Sequence, residues 1–135
     1  MSKQPATSNN PRPPLVISAS HAARLTALAD NALERLPDIA GRLLDELERA
    51  QTVPDDQLPD DVVAMGNQVS FQDEATGRDR VVRLVWPSEA NIDAGRISVL
   101  TPVGTALIGL RVGQSIDWPV TDGSHHRLRI TAVDR

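Results

Sequence analysis

The stretch from Ile97 to Gly113 constrains the fold more than any other part of the chain. A short run of β-forming residues leads into Thr101 and Pro102. Threonine caps helices well, and proline suits the first helical position because it lacks the N–H that would be left unpaired there. The next residues carry more apolar surface than a single turn hides: Val103, Ala106, Leu107, Ile108 and Leu110. Two roles fit, a buried crossover that plugs a small barrel and a docking loop for a protein partner. The two roles are compatible, since one face of the segment can pack into the barrel while the opposite face binds a partner.

Upstream, the apolar spacing predicts two amphipathic helices. The first stripe follows Ser18, a plausible N-cap, and comprises Ala22, Leu25, Leu28, Ala32 and Leu36. Pro37 ends it, because the residue before a proline is pushed out of the helical region. The second stripe comprises Ile39, Leu43, Leu47 and Ala50, with Arg42–Glu46 and Asp45–Arg49 as pairs on its outer side. The stripes predict a short antiparallel hairpin over residues 15–52, with arms of roughly 20–25 Å.

From Val62 onward the pattern becomes that of β-strands. The predicted strands are Gln68–Gln72, Arg80–Trp86, Arg96–Leu100, Ser115–Pro119 and His126–Val133. Two turns are predicted, at residues 73–79 and 121–124. The chain therefore divides into a disordered tail (1–14), the hairpin (15–52), a linker (53–61) and an α+β domain (62–135).

Several segments carry a resemblance to a known family: Pro87-Ser88-Glu89-Ala90, Ile97-Ser98-Val99, Thr101 to Gly109, and Val112-Gly113. They resemble the C-terminal domain of the bacterial Gre transcript-cleavage factors. Those proteins join an N-terminal helical hairpin to an FKBP-like domain, so the resemblance implies an FKBP-like antiparallel half-barrel with a helical plug. Within this superfamily, residues 61–65 and 106–113 are similar to the Rnk family, regulators of nucleoside diphosphate kinase whose hairpin is shortened.

The resemblance also implies a docking site. In Gre factors the loop around a Ser-Pro step rests on the rim of the secondary channel of RNA polymerase, and Thr101-Pro102 matches that step. The implied docking residues are Leu100, Thr101, Pro102, Val103, Ala106 and Leu107. Gre factors often carry an acidic residue where this chain has Leu100, which predicts a more apolar interface. Because so small a loop cannot bury a standard interface of about 1,600 Å², we expect the hairpin to contribute.

Near the hairpin tip, Asp30, Glu34 and Asp38 are candidates for metal-assisted chemistry. In Gre factors a pair of acidic tip residues holds a catalytic Mg²⁺, an ion that prefers oxygen ligands. No compact acidic pair stands at this turn, and a short arm leaves the tip far from the polymerase active centre. We expect an acidic surface without a metal or other cofactor. His125 and His126 are neighbours on a strand and point to opposite faces, so they are not expected to share a metal.

Charge and composition narrow the partners further. Residues 18–61 carry ten acidic residues and four arginines, whereas residues 62–135 are neutral. An acidic hairpin argues against direct binding to duplex phosphates and favours a basic protein surface. The chain lacks cysteine, and its apolar runs are far shorter than the roughly 20 residues that cross a membrane. It also lacks a phosphate-binding loop and has too few aromatic residues for a prolyl isomerase pocket.

The sequence therefore predicts a non-enzymatic, cytoplasmic and monomeric transcription regulator. It would occupy the secondary-channel rim, compete with Gre-type factors without cleaving RNA, and meet nucleic acid only through the polymerase complex. The family resemblance adds regulation of nucleoside diphosphate kinase. Two alternatives stay open: an active cleavage factor that uses Asp30, Glu34 or Asp38, and a direct adaptor of nucleoside diphosphate kinase.

Overall fold

The computed structural model describes residues 14–119 and 125–134. The predicted tail and the turn predicted at residues 121–124 fall almost wholly outside the described residues. The helices are α1 (Ala19–Ala32), α2 (Pro37–Arg49) and α3 (Pro102–Leu107). The strands are β1 (Val16–Ser18), β2 (Gln51–Val53), β3 (Gln68–Asp73), β4 (Arg78–Val85), β5 (Arg96–Ser98), β6 (Ser115–Pro119) and β7 (His125–Asp134).

The predicted hairpin is confirmed, with α1 and α2 packed against each other. Their buried faces include Leu25 and Ala29 from α1, and Ala40 and Leu43 from α2. The arms of 14 and 13 residues are about 20 Å long. Helix α1 ends at Ala32, earlier than its stripe suggested, because Pro37 does not follow a helix but begins one at the first helical position.

Glu46 corrects the prediction of an outward-facing pair with Arg42. Its side chain is 1% exposed, and its Oε2 accepts a hydrogen bond from Arg49 Nη2 at 2.9 Å. The buried positions of α2 recur every three residues, at Ala40, Leu43 and Glu46, which turns Glu46 inward. A carboxylate at this depth is tolerated because a guanidinium three residues away pairs with it.

Strands β3 to β7 form one five-stranded sheet, in the order β5-β4-β3-β7-β6. The three pairings among β4, β3, β7 and β6 are antiparallel, whereas β4 and β5 are parallel. The half-barrel is therefore mixed rather than wholly antiparallel, because the connection between β4 and β5 crosses back along the sheet through two short 3-10 turns. The predicted alternation in β7 is confirmed: Leu128 and Ile130 are buried, and Arg127 and Arg129 are exposed.

Helix α3 supplies the predicted plug. Ala106 and Leu107 are 1% and 0% exposed and belong to one buried cluster with residues from β3, β4 and β7. The same cluster includes Leu15 and Ile17 at the base of the hairpin, so a single core spans the hairpin base and the sheet.

Backbone contacts fix the base of the hairpin to the body. Strands β1 and β2 pair in parallel, and the N–H of Val16 donates to the carbonyl of Gly109 at 3.1 Å. Gly109 has a φ of +83°, and a Cβ there would lie 3.1 Å from Leu15 Cβ. In the segment predicted as a linker, Asp55 Oδ1 accepts a hydrogen bond from the N–H of Ser20 at 3.0 Å. The hairpin therefore leaves the body in a defined direction.

Candidate functional site

The loop that leads into α3 is held by a set of short polar contacts. Thr101 Oγ1 accepts from the N–H of Gly104 at 3.1 Å, as expected of an N-cap, and donates to the carbonyl of Ser98 at 2.6 Å. The buried Thr105 hydroxyl donates to the carbonyl of Val99 at 2.8 Å. These bonds tie both ends of the loop to the end of β5.

Gly104 permits this arrangement. A Cβ at this position would collide with the carbonyl oxygen of Ser98 and would lie 2.8 Å from Val99 Cα. Both obstacles are backbone atoms, which have little freedom to move aside. Only glycine lets α3 approach β5 this closely.

The six predicted docking residues fall into two groups. Pro102 is exposed, and Leu100, Thr101 and Val103 are half-buried, so these four contribute to the surface of the loop. Ala106 and Leu107 are in the core and offer no surface to a partner. They support the loop from below, because α3 turns that side toward the sheet.

An apolar groove runs beside this loop. It encloses about 440 Å³ and is lined by Ala90, Ile92, Arg96, Ile97, Ser98, Thr101, Pro102 and Val103. Its outer wall is a tight turn in which Asn91 and Arg96 exchange two backbone hydrogen bonds, of 2.8 and 2.9 Å. The turn displays Ile92 with 84% of the residue exposed. We call the four surface residues of the loop together with Ile92 the apolar docking surface, after the docking role that the sequence predicts for the loop.

The three carboxylates at the hairpin tip are exposed and lie on separate segments. Asp30 lies near the end of α1, Glu34 in the connecting turn and Asp38 in the first turn of α2, and all three are exposed. Across residues 14–119 and 125–134, no three histidine, aspartate or glutamate side chains stand close enough to hold a metal ion. The tip also exposes two leucines, Leu33 and Leu36, at 39% and 38%.

Where α1 meets the body, two of its side chains contact Trp86. The guanidinium of Arg24 lies 3.9 Å from the centroid of the Trp86 ring, and His21 meets the same ring edge-on at 6.0 Å. Burial lowers the pKa of His21, Arg24 lowers it further, and the nearby Asp55 opposes the change. Hydrogen bonds from Ser20 lower the pKa of Asp55. This cluster joins α1 to the residue that follows β4.

Comparison with known proteins identifies the family. The model described as the C-terminal domain of transcription elongation factor GreA/GreB matches residues 58–135, and the model of the Rnk N-terminus matches residues 13–53. The chain belongs to the Rnk branch of the GreA/GreB family. Within the described residues, no helix of this family member is long and apolar enough to cross a membrane.

Relatives match over most of their length. The regulator of nucleoside diphosphate kinase from Escherichia coli strain K12 is 38% identical over 124 residues, or 91% of this chain and 90% of its own. GreA from Rhodospirillum rubrum is 37% identical over 84% of this chain and 77% of its own. A solved structure of a transcription elongation factor GreA/GreB from Nitrosomonas europaea has a TM-score of 0.74 at 35% identity and covers 92% of this chain.

Sequence reasoning missed two features of the site, Ile92 and the tip leucines as exposed residues. The signal for Ile92 was weak but present: a lone isoleucine between Asn91 and Asp93 in a turn-forming segment belongs to no apolar period. Leu36 was assigned to the buried stripe of α1 because its spacing fits, and the early end of that helix places it in the turn instead.

Proposed function

We propose that this protein binds RNA polymerase at the rim of the secondary channel and acts there by occupancy, without cleaving RNA. The observation that carries the proposal is the Thr101-Pro102 step, which is similar to the docking step of Gre factors and lies at the edge of an apolar groove with Pro102 exposed. The protein would act as a cytoplasmic monomer and compete with Gre-type factors for one site.

The chemistry of the apolar docking surface supports this role. Ile92 keeps 84% of its surface in water, and full burial of a residue of this size is worth about 1.5–3 kcal/mol. Pro102 and the capped loop are already ordered, so binding loses little conformational entropy there. An acidic hairpin adds attraction to a basic rim and speeds association.

Occupancy rather than cleavage is favoured by the tip. Its three carboxylates lie on separate segments, and arms of about 20 Å give the tip a short reach from the docking loop. A catalytic Mg²⁺ needs oxygen ligands that converge on one point. We therefore assign the tip carboxylates to steering and not to metal-assisted hydrolysis.

The test is binding to purified core RNA polymerase by wild type and by Pro102→Asp. An aspartate is compatible with the first turn of a helix, so α3 should persist while a charge enters the apolar docking surface. Pro54→Asp, which adds the same charge at another exposed proline, is the matched control. We expect Pro102→Asp to abolish measurable binding and Pro54→Asp to leave it within twofold. Equal binding by both variants would contradict the docking assignment.

A second candidate follows from the relative named a regulator of nucleoside diphosphate kinase. We propose that any such regulation by this chain acts through transcription and not through a direct complex. A pull-down with purified nucleoside diphosphate kinase, with no polymerase present, separates the two. Saturable binding in that experiment would favour the direct adaptor.

A further inference from the structure

At the hairpin tip, the start of α2 departs from the usual chemistry of helix ends. Helix N-caps favour Ser, Thr, Asp or Asn, whose side chains accept a hydrogen bond from the first turn. Here the N-cap of α2 is Leu36, with a φ of −133° and no side-chain cap. The C-cap of α1 is Leu33. Leu33 has ordinary helical dihedrals, whereas Leu36 stands at a position where Ser, Thr, Asp or Asn would stabilise the start of the helix.

Both leucines remain accessible in the folded protein. Leu33 is 39% exposed and Leu36 is 38% exposed, whereas the apolar positions lower on the hairpin, such as Leu25 and Leu43, are fully buried. Each tip leucine therefore packs partly against the fold and leaves about two fifths of its surface in water. Positions at which a sequence departs from local stability rules are commonly functional, and the N-cap position of Leu36 is such a departure.

Charges surround the two leucines. Asp30, Glu34 and Asp38 are exposed around them, and Arg35 is the one exposed basic residue in the turn. The hairpin region as a whole, residues 18–61, has ten acidic residues against four arginines. A surface that accepts this tip must combine an apolar spot with surrounding positive charge.

We propose that Leu33 and Leu36 form a second anchor, which inserts into an apolar spot within a basic patch on the wall of the polymerase secondary channel. This inference rests on the proposed function and deepens it. The apolar docking surface holds the body at the rim, and the leucine anchor holds the hairpin inside the entrance. The tip carboxylates steer the approach, and the leucines slow departure.

The test measures association and dissociation rates on immobilised core RNA polymerase, together with urea unfolding. The variants are Leu33→Gln and Leu36→Asn, and the control is Val112→Ser, which truncates a turn residue of similar exposure, 41%. Burying the exposed two fifths of one leucine is worth about a fivefold gain in affinity. We expect each tip variant to dissociate about fivefold faster, with the association rate and the Val112→Ser control unchanged within twofold.

Leu36→Asn separates binding from folding. Asparagine is a good N-cap, and the capping bond that it supplies offsets the packing that the leucine loses. Its folding equilibrium constant should therefore stay within about fivefold of wild type while dissociation accelerates. Charge variants of the tip, such as Glu34→Gln, should instead slow association at low salt.

Three outcomes overturn the proposal. Tip variants that dissociate like wild type, while Pro102→Asp fails to bind, would refute the leucine anchor and leave the proposed function standing. A wild type that does not bind polymerase would refute both. A wild type that is dimeric by light scattering, and becomes monomeric in the tip variants, would show that the anchor meets a second copy of this chain instead.

Discussion

Replacing Gly104 by alanine should destabilise the fold more than any other single methyl group added at a described glycine. The new Cβ would meet the carbonyl oxygen of Ser98 and would lie 2.8 Å from Val99 Cα, against an optimal carbon–carbon separation of about 3.5–4.0 Å. Helix α3 must therefore move by about 1 Å. Overpacking costs about 1–3 kcal/mol, and the rigid obstacles place this variant near 3 kcal/mol.

Urea unfolding followed by circular dichroism measures this cost. A loss of about 3 kcal/mol lowers the folding equilibrium constant about 100-fold and the urea midpoint by roughly 1–2 M. Gly41→Ala is the matched control, because Gly41 lies inside α2 and its added Cβ would meet nothing within 4 Å beyond its chain neighbours and the backbone of its own helix. Alanine there should stabilise the protein by about 0.5–1 kcal/mol. A Gly104→Ala midpoint equal to wild type would refute the close approach of α3 to β5.

Two further predictions follow from the same region and from the hairpin base. Thr105→Val should destabilise the protein by about 1–3 kcal/mol in urea unfolding, because it removes the 2.8 Å bond that satisfies the buried carbonyl of Val99; an unchanged midpoint would contradict this. The pKa of His21 is lowered in the folded state, so the unfolded chain takes up a proton first as the pH falls. The stability that neutral His21 contributes is therefore complete above the unfolded pKa of 6.5 and is lost as the pH falls through the lower pKa of the folded state. The urea midpoint of wild type should therefore fall between pH 7.5 and pH 5 by more than that of His21→Gln, whereas Asp55, with an unfolded value of 3.8, acts below this window; parallel curves would contradict the burial of His21.

Most of the fold could be predicted from the periodicity of apolar residues along the chain. The two helical stripes and the alternation of β7 predicted elements that the structure confirms, because a buried face imposes the same repeat on sequence and structure. The parallel pairing of β5 with β4 was not predictable, since it depends on the path of the chain between them. The position of Glu46 was predicted wrongly because its charge suggested an exposed residue. Its place in the helix, three residues after the buried Leu43, puts it on the buried face of α2 instead.

The candidate site was only partly visible in the sequence. The Thr101 cap was predicted from its position before a proline and is present in the structure. The burial of Ala106 and Leu107 could not be separated from the exposure of Pro102, because one short apolar segment serves the core with one side and the surface with the other. Ile92 joins the site only because the turn from Asn91 to Arg96 folds back beside α3, a tertiary relation that spacing does not encode.

Occupancy without cleavage is the central claim, and stalled elongation complexes test it most directly. A complex carrying labelled, backtracked RNA would receive this protein alone, GreA alone, or GreA with increasing amounts of this protein, all with Mg²⁺. We predict no RNA shortening by the protein alone and a dose-dependent loss of GreA cleavage in the mixture. The loss should disappear with Pro102→Asp. Mg²⁺-dependent shortening by the protein alone, removed by replacing Asp30, Glu34 or Asp38, would contradict the account and assign catalysis to the tip.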